Sequence, residues 1–214
     1  MSYIAERRQE EKEKRRAEIL DAAEAVAAEV GPAAMTMDQV ARGARISRAL
    51  LYVYFKDKED LLFGVSERAL TLLRARFVEA AARHTTGLDQ VQAIGRAYVA
   101  FCQEFPVYFD VLGRFQAHEQ QLQDTENTVM ACVKAGTRVH DVIVDCINAG
   151  IADGSIRGDA GDPRLVSFAL YAMTHGTLQV ATAKAAVLPF LGLNSKDLIE
   201  QGLLMAGRSL AAKA

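Results

Sequence analysis

Tryptophan is absent from this 214-residue chain and proline occurs only four times. With half the residues apolar and alanine and leucine plentiful, that balance disfavours a sheet-rich or disordered polypeptide and predicts a nearly all-α protein. Cysteine is also sparse. Cys102, Cys132 and Cys146 are odd in number and lack CxxC spacing, which argues against a disulfide framework or a cysteine-rich zinc site and favours a reducing, cytoplasmic setting. No apolar run approaches the roughly 20 residues needed to cross a bilayer, and no apolar signal core follows the charged start, so neither membrane insertion nor secretion is expected. His84, His118, His140 and His175 fall in separate predicted helices or at their ends. Without HExxH, GxSxG, P-loop or dinucleotide glycine motifs, the sequence nominates no metal, no cofactor and no catalytic residue, and an enzyme is not expected.

The net charge of −2 argues against a chain that coats nucleic acid throughout, but it hides a basic stretch. Between Asp38 and Lys58 the cations Arg42, Arg45, Arg48, Lys56 and Lys58 face only Asp38 and Asp57. The length suits a small head of about 50 residues joined to a larger core of roughly 150. The predicted division is a head over residues 1–60, whose first 16 residues form a charged arm or the start of the first helix, and a helical body over 61–214.

Glu6 to Arg16 mixes Glu with Arg and Lys at spacings of three and four, which suits a solvated helical start or an arm on DNA. From Ile19 the apolar residues Ala22, Ala23, Val26, Ala27 and Val30 follow a helical rhythm that Gly31-Pro32 stops. Thr36 stands three residues before Gln39, a capping-box spacing that starts a short helix. Gly43-Ala44-Arg45-Ile46 interrupts it, and Ser47 caps a second short helix through Arg48, Leu51 and Tyr54. Two short helices about a tight turn predict a helix-turn-helix. Further helices are expected from Lys58 to about His84 and near Leu88–Phe105, Val107–Gln121, Thr125–Ala152, Pro163–Val187 and Ser195–Ala212.

A recognition helix buries one side in its own domain while the other enters a major groove. Leu51 and Phe55, four apart, make the buried side; Arg48, Ala49, Tyr52 and Val53 point roughly the other way, with Leu50 at the margin. Arg48 can donate two bonds to guanine, and Ala49 and Leu50 suit a thymine methyl. Thr36, Ser47, Tyr52, Tyr54 and Lys58 carry donors suited to phosphate. Leu50 equally fits the head's core, and Arg45 fits either a phosphate contact or plain solvation.

The run from Met35 to Leu62 resembles the DNA-binding signature of the Tet repressor (TetR) family of bacterial regulators. Thr36, Val40-Ala41, Ala44, Ile46-Ser47, Leu51-Tyr52, Tyr54-Phe55, Lys58 and Leu61 match its pattern in identity and spacing, and the likeness covers roughly residues 15–65. Two positions depart from it: the family usually has Gly where Arg45 stands and often Thr or Ser where Leu50 stands. The resemblance implies a homodimeric transcription regulator, usually a repressor, that binds a palindromic double-stranded DNA operator and is released by a small molecule.

The body offers its own signals. The aromatic-rich stretch with Tyr98, Phe101, Phe105, Phe109, Phe115 and His118 suits either an apolar or aromatic ligand or ordinary core. The Pro163–Val187 helix is apolar on nearly every side, so a partner surface is expected, with Phe168, Ala172, Gly176 and, from the last helix, Leu203 in a dimer interface. A rival reading from another class is a helical small-molecule-binding or enzymatic protein whose degenerate head no longer binds DNA, favoured only by the apolar Leu50 and Val53. A helical adaptor that binds proteins through the head is a third.

Overall fold

The computed structural model describes residues 3–118 and 127–212, with the side chains of 115–118 and 127 excepted. Its elements are α1 (Tyr3–Ala34), α2 (Met37–Gly43), α3 (Arg48–Tyr54), α4 (Lys58–Ala81), α5 (Gly87–Glu104), α6 (Pro106–His118), α7 (Asn127–Asp153), α8 (Pro163–Ala183) and α9 (Ser195–Leu210). Among the described residues there is no strand, only an isolated bridge between Ile156 and Ala211. The all-α expectation holds. The expected boundaries Gln121 and Thr125 lie outside the described residues.

The chain forms two compact units, residues 1–70 with 105–135, and residues 71–104 with 136–214. In the first, Ile19, Leu20 and Ala23 of α1 are buried together with Val40, Ala41, Leu51, Phe55, Leu61 and Val65. Gly64 lets α4 lie close to α1, since a Cβ there would sit 2.9 Å from the Phe55 ring and 3.1 Å from Leu20. Arg16 closes the same spot, its guanidinium 5.3 Å from the Phe55 ring centre and 3.1 Å from Glu67. Arg68 ties α4 to α1 through Asp21, Glu24 and the Ala17 carbonyl.

Helix α1 starts at Tyr3, well before the apolar rhythm begins, carried by pairs such as Arg7–Glu11 at i,i+4. Gly31 breaks it at φ 80°, as the Gly-Pro pair predicts, but Pro32 then opens a last turn to Ala34. Lys58 donates its ammonium to the Ala33 carbonyl and so satisfies an acceptor at the end of that turn.

In the second unit, Val91, Ile94, Tyr98 and Phe101 of α5, Ile143 and Ile147 of α7, and Leu178 and Ala181 of α8 are buried. The α5 and α7 backbones meet at Gly87 and Gly150, where a Cβ on Gly87 would fall 2.1 Å from the Gly150 nitrogen. Asp153 accepts from the Gly87 N–H at 2.7 Å and Ser155 from the Leu88 N–H at 3.1 Å, which caps α5 from the end of α7. Helix α8 ends at Ala183, earlier than the apolar pattern suggests. The Lys184 N–H bonds Val180 and a 3₁₀ turn follows over Leu188–Leu191, closed by Gly192 at φ 70°. All three cysteines are buried thiols outside any disulfide; burial pushes the Cys102 thiol up to about 12 and raises that of Cys146.

Candidate nucleic-acid interface

Both short helices of the head are built from local signals. Thr36 accepts from the Gln39 N–H, while the Gln39 side chain accepts from the Thr36 N–H at 2.9 Å, a complete capping box. Ser47 accepts from the Leu50 N–H at 3.1 Å and starts α3. Between them, the Ile46 N–H returns to the Ala41 carbonyl at 3.0 Å and the Arg45 N–H to Arg42 at 3.1 Å, with Arg45 in the left-handed region at φ 55°. That is the geometry of a helix C-cap that glycine fills without strain. An L side chain there costs roughly 1–2 kcal/mol, a physical reason for glycine being the family's usual choice.

Helix α3 buries Leu51, and Phe55 just beyond it, completely. Its other side, with Arg48, Ala49, Tyr52 and Val53, is exposed, and Leu50 stands 37% exposed at the margin. The outward row presents one guanidinium, one phenol and three apolar surfaces along seven residues, a composition able to meet base edges and thymine methyls in a major groove. Tyr54 is half-buried beside it, and Thr36, Arg45 and Ser47 are exposed. The hydroxyls of Thr36 and Ser47 are engaged in their caps, and one donor of Lys58 is engaged at Ala33.

Sequence reasoning missed how Arg48 is held. Its Nε lies 3.1 Å from Asp38 on α2, its Nη2 is 3.5 Å from the Tyr52 hydroxyl, and its Cζ lies 5.6 Å from the centre of the Tyr52 ring. The Tyr52 hydrogen bond and the Asp38 carboxylate together raise the guanidinium's already high pKa. The signal was an acid and a base flanking one turn, but their meeting depends on how α2 and α3 pack.

In the second unit, a polar cluster lies among the aromatic residues. Tyr98 shares a 2.7 Å hydrogen bond with His175 Nδ1, and His140 Nδ1 shares one of 2.7 Å with Ser167. Burial lowers the pKa of both histidines and raises that of the Tyr98 hydroxyl. Of the residues expected to meet a ligand, Tyr98 and Phe101 belong to this unit and are buried. Phe105 and Phe109 belong to the first unit and are half-buried; Phe115 and His118 lie outside the described side chains. Among the described residues, no group of three or more His, Cys, Asp or Glu side chains is arranged to hold a metal ion, and no helix is long and apolar enough to cross a membrane.

Of the residues expected at a dimer interface, Phe168 is 58% exposed and Ala172 is exposed, while Gly176 has open space where a side chain would stand. Leu203 is half-buried, with its Cδ2 3.1 Å from the position of a Cβ on Gly95 of α5. Helix α8 thus carries Leu165, Phe168, Ala172, Gly176 and Val180 at spacings of three and four, and the large members of that row are exposed. His140 stacks on Phe168 with ring centres 3.9 Å apart.

Two capped short helices, a left-handed turn and a second helix buried on one side define a helix-turn-helix head. Residues 19–65 match the model of bacterial regulatory proteins of the tetR family. It is 29% identical over 147 residues to the HTH-type transcriptional regulator HbdR of Aromatoleum sp. (strain CIB), covering 68% of this chain and 61% of that protein. It is 38% identical over 82 residues to the HTH-type transcriptional regulator BetI of Rhizobium meliloti (strain 1021), covering 38% of this chain and 40% of that protein. Both matches span less than two thirds of the relative's length. Among solved structures, a Rhodococcus sp. RHA1 protein of unknown function shares the fold with a TM-score of 0.70 at 22% identity, over 92% of this chain and 95% of that one. The ketosteroid transcriptional regulator KstR2 of Mycobacterium tuberculosis shares it with a TM-score of 0.64 at 23% identity, over 93% and 96%.

Proposed function

We propose that this chain is a DNA-binding transcription regulator that docks as a homodimer on a two-fold-related operator, with residues 1–60 as its head and 61–214 as its body. The observation that carries the reading is α3, buried through Leu51 and outward through Arg48, Ala49, Leu50, Tyr52 and Val53. One such helix reads only a few base pairs, so a second copy has to supply the remaining specificity. The exposed apolar row on α8 supports that second copy, because a stripe of this kind in water favours association.

A salt-dependent gel shift with DNA flanking the protein's own gene tests the reading. Arg48→Ala should cost about 1–3 kcal/mol and relax preference at one position in each half-site. Lys58→Ala should weaken all sequences alike and flatten the salt slope by roughly one. It should also lower stability slightly, because the Ala33 carbonyl loses its donor. Unchanged base preference in Arg48→Ala would remove that residue from the reading surface.

The finer reading is repression relieved by a mainly apolar or aromatic small molecule held in the body, supported by the aromatic composition around Tyr98 and Phe101. The coupling required is modest: about 1–3 kcal/mol changes DNA affinity roughly 5–150-fold. Linkage requires any such ligand to bind the operator complex less tightly than the free protein. Equal ligand affinities in calorimetric titrations with and without operator would defeat this mechanism.

A further inference from the structure

We propose that Asp38 is a positioning residue for base reading: it grips the Arg48 guanidinium along its Nε edge and so fixes which base pair the terminal amino groups address. The proposal rests on the DNA-binding reading above and names one determinant of its specificity.

An exposed arginine at the first position of a helix is an imprecise reader, because its long side chain samples many rotamers. Arg48 is such a residue, with its side chain 63% exposed. Two partners restrain it here. Tyr52 lies one turn along the same helix, so its ring and hydroxyl move with Arg48 and fix its direction only relative to α3. Asp38 differs because it belongs to α2, where the Thr36–Gln39 capping box sets the first turn that carries it. The 3.1 Å contact between Asp38 Oδ1 and Arg48 Nε therefore refers the guanidinium to the frame of the whole head.

The donor arithmetic suits this role. A guanidinium has five N–H donors, and the Asp38 carboxylate pairs with its charge from the Nε side, 3.1 Å from that nitrogen. The two terminal nitrogens keep four, and the long 3.5 Å approach to Tyr52 occupies one of them. Two parallel bonds to guanine O6 and N7 need two. Gripping the Nε edge leaves an end-on fork intact and disfavours a side-on approach that would use Nε itself.

Charge makes Asp38 stand out further. A surface that meets a polyanion gains nothing from an added carboxylate. Between residues 38 and 58 the other acid, Asp57, accepts from the Asp60 N–H at 2.9 Å and starts α4. Asp38 is the acid whose partner is the proposed reading arginine. Its carboxylate opposes binding to arbitrary DNA while it orders the group that discriminates. Both effects favour specificity over bulk affinity.

Selection from a duplex library with a randomised core tests this and requires no defined operator. The full chain and its Asp38→Asn, Asp38→Glu and Arg48→Ala variants are each sequenced for recovered bases and titrated with a fixed non-specific duplex. The wild type should enrich one base at a position in each half-site that Arg48→Ala no longer distinguishes. Asp38→Asn should weaken preference at that same position about three- to ten-fold and raise affinity for the non-specific duplex about two- to five-fold. Asp38→Glu should restore part of the preference. If Asp38→Asn keeps the wild-type preference there, the proposal is overturned. It is equally overturned if preference falls at all positions together, in step with a loss of stability measured by denaturation, since that marks a role in holding α2 alone. A wild-type chain that enriches no sequence would instead overturn the DNA-binding reading itself.

Discussion

Gly176→Arg should leave the chain folded, convert the proposed dimer to a soluble monomer, and reduce operator affinity roughly 10²–10⁴-fold. A Cβ built on Gly176 meets nothing within 4 Å inside its own chain, so the monomer has room for the new side chain. The conflict arises only when a second copy approaches the row of Leu165, Phe168, Ala172, Gly176 and Val180, where an unpaired guanidinium would be desolvated. Losing the partner removes the second half-site contact, and with it the avidity that joins two weak readings into one tight one. Sedimentation equilibrium paired with operator titration checks both halves of the expectation. A variant that remains dimeric would place the interface elsewhere.

Gly87→Ala should act on the fold itself, lowering stability by about 3–5 kcal/mol. At roughly 2–4 °C of Tm per kcal/mol for a chain of this size, the fall is roughly 6–20 °C. The added methyl would sit 2.1 Å from the Gly150 nitrogen, 2.3 Å from its Cα and 2.4 Å from the Cys146 carbonyl oxygen. All three are backbone atoms, so no rotamer change relieves them and α5 must part from α7. The Asp153 and Ser155 contacts that cap α5 loosen with it. Gly158→Ala is the matched control, since a Cβ there meets nothing within 4 Å and the substitution should be neutral or slightly stabilising. Thermal unfolding of the two variants side by side decides it, and similar melting temperatures would show that the two helices separate at little cost.

These two glycines show where sequence reading ends. The head was legible because its instructions are local: a Thr three residues before Gln, a Ser before the second helix, and a Leu–Phe pair four apart. Each acts within one turn, so adjacency in sequence guarantees adjacency in space. The all-round apolar character of α8 was legible for a similar reason, since periodicity alone puts apolar residues on nearly every side of that helix.

Other features depend on packing between distant segments. The approach of Gly87 to Gly150, the Tyr98–His175 hydrogen bond and the Lys58 contact with Ala33 join residues 25 to 77 positions apart. Periodicity does not encode such pairings. Arg45 is intermediate: its place in a glycine-preferring turn was evident, but the left-handed backbone that explains the preference is seen only in three dimensions. The early end of α8 belongs with these cases, because the run from Val187 to Leu193 continues the apolar pattern while its backbone turns into a 3₁₀ segment.

The three buried thiols give the protein an internal clock. Thiol reagents attack the thiolate, and burial both shields these sulfurs and, for Cys102 and Cys146, keeps the proton on. In the native state the chain therefore behaves toward alkylation as if it had no cysteine, and each modification event records a transient opening. Cys132 belongs to the first compact unit, Cys102 and Cys146 to the second. A single reagent, read residue by residue, times the breathing of each unit separately, without engineered labels.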